Sequence, residues 1–226
     1  LNSFEWIDSY YPGDNGFVGG SVFATEHSVM CAGTAHENEL ETYRRLLTIY
    51  PTGIVSVVSD TYDLWSVLTN ILPTLKDDIM GRDGKLVIRP DSGDPADILC
   101  GGYEVAADWQ QDWEEIQAGK PDTRTPAQKG VIELLWETFG GTVNEKGYKT
   151  LDPHIGAIYG DSITVERAET IFRRLAAKGF ASDNIVFGAG SYFYQGNTTR
   201  DTFGSAMKAT WVQIDNEGLD ILKDPV

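Results

Sequence analysis

Cysteine is scarce: Cys31 and Cys100 are the only two among 226 residues. They lie far apart without CxxC spacing, which excludes a disulfide-stapled mini-protein and makes a reducing cytoplasm the simplest location. No stretch approaches the roughly eighteen uninterrupted apolar residues of a membrane helix, so a helical membrane protein is excluded. No basic stretch followed by an apolar one marks a signal peptide. Cations are also few, 18 Lys and Arg against 34 Asp and Glu, and the net charge of -16 repels nucleic acid and anionic lipid. Any anionic ligand must therefore be caught by a local cluster of cations or by helix N-termini. What is present is ordinary for a globular chain, 41% hydrophobic and 23% charged residues, and 226 residues suffice to bury a core. The sequence starts at Leu1 without Met and stops at Asp224-Pro225-Val226, and it is expected to be a piece of something longer.

Short strand-like runs alternate with longer helix-like ones. A helix is expected over roughly 36 to 49, with Leu40, Tyr43, Leu46 and Leu47 on one face. Ile54-Val55-Ser56-Val57-Val58 reads as a strand. Leu64, Trp65, Leu68, Ile71 and Leu72 then mark a helix stopped by Pro73. Leu86-Val87-Ile88 is a strand, and Val131, Leu134, Leu135 and Phe139 form a helix closed by Gly140-Gly141. Ile155 to Tyr159 is a strand, followed by a helix capped by Ser162, with Val165, Ala168, Ile171, Phe172 and Leu175 inward, ending at Gly179. Asn184 to Phe187 is a further strand. The stretch from 101 to 130, with Trp109, Trp113, Pro121 and Pro126, breaks the alternation as a surface excursion. Strands separated by helices imply an α/β fold with a parallel sheet covered on both faces, open or closed into a barrel. The dinucleotide version lacks its G-x-G-x-x-G.

Each strand run ends in a polar motif: Ser59-Asp60, Arg89-Pro90-Asp91-Ser92-Gly93, Gly160-Asp161-Ser162 and Gly188-Ala189-Gly190-Ser191. Parallel α/β folds bind ligands at the carboxyl ends of strands, so these motifs are expected around one mouth. Each also has a plainer reading. Asp60-Thr61 and Asp161-Ser162 suit helix N-caps. Arg89, held extended before Pro90, suits a buried ion pair. Gly188 and Gly190 permit either a tight turn or backbone N–H groups close to a phosphate. His27 alone suits a loop histidine, and Lys208 and Lys223 suit solvated surface. No G-x-S-x-G elbow, Cys–His pairing motif or H-x-x-x-H zinc pattern occurs. The chemistry suggested is transfer by positioning and charge stabilisation on a phosphorylated sugar.

Six motifs in order resemble the nicotinamide phosphoribosyltransferase family: Ser21-Val22-Phe23-Ala24-Thr25-Glu26-His27-Ser28, Val55 to Asp63, Ile88-Arg89-Pro90-Asp91-Ser92-Gly93-Asp94-Pro95, Asn144 to Lys149, Tyr159-Gly160-Asp161, and Leu222-Lys223-Asp224-Pro225-Val226. The resemblance covers nearly the whole chain, which is similar to bacterial and phage versions. It implies residues 1–226 as a partial, irregular α/β barrel of the type II phosphoribosyltransferase kind, lacking the family's N-terminal part and C-terminal tail. It also implies a homodimer when the enzyme is whole, and the formation of nicotinamide mononucleotide and pyrophosphate from nicotinamide and phosphoribosyl pyrophosphate in NAD salvage. Two alternatives stand beside it, a nicotinate phosphoribosyltransferase and a non-catalytic fragment that only binds phosphoribosyl ligands.

Carried over residue by residue, the resemblance makes His27 the histidine phosphorylated by ATP, the stimulating co-substrate. Ser21, Val22, Ala24 and Ser56 would line the pyridine pocket and tunnel. Asp60 and Asp91 would form the polar wall beside ribose and pyrophosphate, with Arg89 against base and phosphates. Gly160 and Asp161 would hold the ribose hydroxyls, and Gly188, Gly190, Ser191 and Arg200 the 5′-phosphate. Lys208 and Lys223 would face the pyrophosphate, which carries Mg²⁺. Ser191 departs from the glycine common there. The family's pyridine-stacking, amide-selecting and partner-subunit residues precede Leu1, so the isolated chain is expected to be inactive. The cations are expected to make a local positive basin with Arg89.

Overall fold

The computed structural model describes residues 9–10, 22–102, 112, 114–116, 118–188, 202, 204 and 207–224. Its centre is a five-stranded parallel sheet of β1 (Phe23–Ala24), β2 (Thr52–Val58), β3 (Asp83–Arg89), β6 (Ile155–Tyr159) and β7 (Ile185–Phe187), in that spatial order. The order never reverses. Each new strand is added on the same side of the last, which is the winding of a barrel rather than of a doubly wound sheet with a switch point. The α/β reading holds, with a parallel sheet wound in a single direction. Two antiparallel hairpins lie apart from it: β4 (Gly141–Val143) with β5 (Lys149–Leu151), and β8 (Trp211–Ile214) with β9 (Glu217–Asp220). In the second hairpin Asp215 and Asn216 turn at φ of 48° and 69°, the left-handed geometry of a two-residue hairpin loop.

Helices connect the strands: α1 (His27–His36), α2 (Glu39–Ile49), α3 (Leu64–Ser66), α4 (Leu72–Thr74), α5 (Lys76–Met80), α6 (Pro95–Cys100), α7 (Pro126–Lys129), α8 (Val131–Phe139) and α9 (Val165–Ala177). One core joins them to the sheet, with Tyr43, Leu68, Leu72, Leu86, Ile88, Leu135, Ile155, Tyr159, Ile171 and Leu175 all within it. Among the described residues no helix is long and apolar enough to cross a membrane.

The expected helix over 36 to 49 is α2, starting at Glu39, and a separate helix, α1, precedes it. α1 ends at His36 and Asn38 caps α2, its side chain accepting from Glu41 N at 2.9 Å. Periodicity missed α1 because the helix buries only Met30, Cys31 and Gly33 and has no continuous apolar stripe. Pro73 does not stop its helix. A π-turn at Val67–Ile71 lies between α3 and α4, so Pro73, which has no N–H to give, falls where the backbone ladder is already displaced. Ser162 is not the cap of α9. It takes φ of 51°, and Thr164 caps instead, accepting from Arg167 N at 3.3 Å. Val165 and Phe172 are not inward either, being 69% and 38% exposed. The stripe facing the core narrows to the buried Ile171 and Leu175 with Ala168 packed beside them, and Phe172 leans on Phe187 at 5.3 Å between ring centroids.

Within the 101–130 stretch, Arg124 is buried. Its guanidinium pairs with Asp122 at 2.9 Å and with Glu133 of α8, whose carboxylate also meets Lys178 at 2.5 Å. Lys178 Nζ also donates to the carbonyls of Cys100, at 2.8 Å, and Lys129, at 2.6 Å. One buried ion network thus joins the chain leaving α6 to α7, α8 and the end of α9.

Candidate active site

β1, β2, β3, β6 and β7 all point the same way, so the segments after them share one rim. After β1, Thr25 bonds across to β2: its N donates to Ser56 O at 2.9 Å and its hydroxyl accepts from Val58 N at 3.0 Å. These two bonds fix the turn that starts α1 at His27. The histidine is therefore the first residue of a helix rather than a loop residue, and Glu26 precedes it without a side-chain cap bond. After β2, Asp60 is buried, and its Oδ2 accepts from Asp91 N at 3.0 Å. This bond ties the β2 and β3 ends together. Asp60 is thus not an N-cap; Asp63 fills that role, accepting from Ser66 N at 3.0 Å. Its other oxygen, Oδ1, is buried without a hydrogen-bond partner.

After β3, Arg89 Nη2 donates to Thr25 O at 2.6 Å and lies 3.4 Å from Glu26, while its Nε is buried and unpartnered. The ion pair foreseen for Arg89 exists, but with the exposed Glu26, so it contributes little by itself. Tyr159, the last residue of β6, donates its hydroxyl to Gly93 O at 2.9 Å and holds the loop after β3. Gly160 and Asp161 follow β6, and Asp161 accepts from the Ser162 hydroxyl at 3.2 Å. After β7, Gly188 N donates to Tyr159 O at 2.9 Å. A Cβ at Gly188 would stand 3.0 Å from Gly160 Cα, so the two strand ends approach closely because this residue has no side chain.

His27 is the meeting point. Its Nδ1 lies 3.0 Å from the Thr61 hydroxyl and its Nε2 lies 2.9 Å from Lys223 Nζ, which also donates to the Ser92 hydroxyl at 3.2 Å. Lys223 is delivered by the chain after β9, where Asp224 N donates to Thr61 O at 3.1 Å. Burial first, and then Lys223, hold His27 below the ordinary imidazole value, outweighing the opposite pull of Asp60 and Asp91. The ring is neutral near pH 7. Its separations of 3.9 Å from Asp60 and 3.8 Å from Asp91 are therefore not ion pairs. Burial pushes the Asp91 carboxyl up despite Arg89 beside it, and Asp60 and Asp161 add to that push.

Asp60, Arg89, Asp91 and Asp161 thus share one mouth with His27 and Lys223, and Lys208, exposed, adds its charge near His27. Val22 and Ala24 are exposed at β1, and Ala24 pairs in register with Ser56, which is buried with its hydroxyl unpartnered. Ser21, Gly190, Ser191 and Arg200 lie outside the described residues. Charge at the mouth is mixed, since Glu26, Asp60, Asp91 and Asp161 stand among Arg89, Lys208 and Lys223. The sequence reading gave no site role to Thr25, Ser92 or Tyr159, and took Thr61 only as part of a cap. The only available signal was their position within the strand-end motifs.

A neutral histidine, clustered carboxylates, a fixed arginine and lysines at the strand ends of a barrel-wound sheet define an α/β domain with a polar, anion-capable site. The model of the nicotinate phosphoribosyltransferase (NAPRTase) family matches residues 15–226, and the chain belongs to this family. It is 50% identical over 233 residues to the "Nicotinamide phosphoribosyltransferase" of Acinetobacter baylyi, covering 100% of this chain and 42% of that protein. To the protein of the same name from Mycoplasma pneumoniae it is 43% identical over 221 residues, 96% of this chain and 45% of that one. The corresponding protein of Xanthomonas campestris pv. campestris is 35% identical over 212 residues, covering 92% and 38%. The chain spans less than half the length of these curated relatives.

Proposed function

We propose that the protein carrying this chain forms nicotinamide mononucleotide and pyrophosphate from nicotinamide and phosphoribosyl pyrophosphate, a pentosyl transfer in NAD salvage. The observation that carries the reading is the strand-end cluster of His27, Asp60, Arg89, Asp91, Asp161 and Lys223 in a chain 50% identical throughout to a protein named for that activity. The family description names nicotinate, whereas all three relatives are named for nicotinamide, and the amide is accordingly the favoured acceptor.

In this reading Asp161 and Gly160 hold the ribose hydroxyls, and Gly188, with Gly190, Ser191 and Arg200, takes the 5′-phosphate. Val22, Ala24 and Ser56, with Ser21, line the path for the pyridine. The bond between ribose C1 and pyrophosphate breaks as the pyridine nitrogen attacks, and the electron pair leaves with pyrophosphate. Arg89, Lys208 and Lys223 receive the charge that gathers there. The donor set fits a divalent cation: Asp60 Oδ1 is buried and unpartnered, and the Asp91 carboxylate is near it. Mg²⁺ brought by the pyrophosphate would supply further neutralisation of the leaving group.

His27 takes the γ-phosphoryl group of ATP in this reading. Nε2 bonds to phosphorus as the bond to the β–γ bridging oxygen breaks, ADP leaves with that electron pair, and the proton on Nδ1 stays in place. A homodimer in the cytoplasm completes the proposal. The test is synthesis of the mononucleotide by the purified protein with nicotinamide or nicotinate as acceptor, with and without ATP. Product from nicotinamide, stimulated by ATP, is expected; product from nicotinate alone would overturn the acceptor assignment, and donor binding without product would favour a binding module.

A further inference from the structure

We propose that Tyr159 is a positioning residue for the pyrophosphate end of the donor, its hydroxyl holding the loop from Asp91 to Gly93 in place against the turns that take the ribose and the 5′-phosphate. The inference rests on the reading of the mouth as a site for phosphoribosyl pyrophosphate, and it gives a part in that site to a residue buried beneath it.

The strand ends are not tied alike. β2 pairs with β3 as far as Val58 and Arg89, and just beyond them Ser59 N donates to Arg89 O at 3.1 Å. β6 pairs with β7 as far as Tyr159 and Phe187, and Gly188 N donates to Tyr159 O at 2.9 Å. Between these two joined pairs, the register of β3 with β6 ends at Ile88 and Ala157. The Tyr159 hydroxyl spans the opening beyond, reaching Gly93 O at 2.9 Å. A carbonyl oxygen can only accept, so the phenol is the donor. Burial first, and then Asp161, Asp60, Asp91 and Asp94, push the phenol up, so it keeps the proton that it donates.

The two ends of this bond differ in rigidity. Tyr159 is 0% exposed and belongs to the core, which fixes where its hydroxyl sits. Gly93 is exposed and turns at φ of 85°, a conformation that glycine enters and leaves at little cost, so the loop takes its position from the buried ring. That loop carries Asp91, whose N donates to Asp60 Oδ2 at 3.0 Å, and Ser92, whose hydroxyl accepts from Lys223 Nζ at 3.2 Å. In the proposed reading Asp91 and Lys223 serve the pyrophosphate, while Gly160, Asp161 and Gly188 serve the ribose and its phosphate. Tyr159 therefore divides its work: its main chain sets the ribose side and its hydroxyl sets the pyrophosphate side. Such placement matters because the transfer depends on holding the reacting atoms at near-attack distance.

Tyr159→Phe tests this in the protein carrying this chain, because it keeps the ring and the main chain and removes only the hydroxyl. Calorimetry should show phosphoribosyl pyrophosphate with Mg²⁺ binding about fivefold more weakly, and ribose 5-phosphate, which lacks the pyrophosphate, binding within about twofold of wild type. A general loss of structure would weaken both ligands together. Hydrogen exchange at the amides of Asp91 to Asp94 reports the tether without any ligand, and it should quicken about fivefold in the variant. Equal loss for the two ligands, donor binding changed by less than about twofold, or unchanged exchange in the loop would each overturn the proposal. Wild-type protein that binds neither ligand would instead remove the donor reading, and the exchange rates would still decide whether Tyr159 holds the loop.

Discussion

Glu133→Ala is the most demanding test of the packing. The Glu133 carboxylate accepts from Arg124 Nη1 at 3.1 Å, from Arg124 Nη2, and from Lys178 Nζ at 2.5 Å, and the Arg124 and Lys178 side chains are only 4% and 3% exposed. Removing it takes from Arg124 the carboxylate it shares with Lys178, and leaves Lys178 Nζ bonded to the carbonyls of Cys100 and Lys129. Breaking a buried pair by deleting one partner costs about 3–5 kcal/mol. At roughly 2–4 °C per kcal/mol for a chain of this size, the melting temperature should drop by about 6–20 °C. The loss should also depend on pH. Burial already holds the Lys178 ammonium below the ordinary lysine value, and losing Glu133 lowers it further. The unfolded chain then binds a proton that the folded one gives up, so stability rises with pH across the window between the two values. The deficit of Glu133→Ala should therefore shrink as pH climbs from 7 toward that of free lysine. Thermal and urea melts of both proteins at a series of pH values make the measurement. A deficit below about 1 kcal/mol, or one that grows with pH, would refute the network as a buried charge balance.

Thr164→Ala should cost about 1 kcal/mol by loss of the α9 cap, whereas Ser162→Ala should cost a few tenths at most; equal losses in melting curves would reverse the cap assignment. Burial, and then Asp63, push Glu39 up to about 7, and one of its oxygens is buried without a partner. Its contribution is complete below the ordinary glutamate range and lost as pH rises through about 7. Glu39→Gln, screened by partial exposure, should therefore gain about 1–2 kcal/mol over wild type at pH 8 and little at pH 4.5; a uniform effect across pH would contradict the burial argument. Asp161→Ala should weaken donor binding about tenfold or more by loss of charge-assisted hydrogen bonds, measured by calorimetry with phosphoribosyl pyrophosphate and Mg²⁺. His27→Ala should abolish ATP stimulation while basal transfer persists.

The strands were legible because β-branched runs such as Ile54 to Val58 have no other plausible use, and the site because polar motifs closed each run. Boundaries and caps were less so. Ser162 and Thr164 are both good capping residues, and only the φ of 51° at Ser162 decides between them. Helix α1 hid because its buried residues do not form a stripe, and with it went the helical setting of His27. Lys223 could be associated with His27 only by resemblance, because their contact spans 196 residues and no local pattern encodes it. Thr61 was mistaken for half of a cap because its hydroxyl looks across the fold, 34 positions back, rather than along its own chain.

That 196-residue span carries a temporal consequence. A ribosome adding about 5–20 residues each second makes His27 roughly 10–40 seconds before Lys223 exists. During that interval the β1–β2–β3 rim can pair in full while the imidazole still lacks its ammonium partner. Nascent chains arrested shortly before residue 223 would hold a nearly complete sheet with an unfinished histidine. The step that completes the site is thus among the last events of this segment's synthesis, and early folding of the sheet proceeds without it.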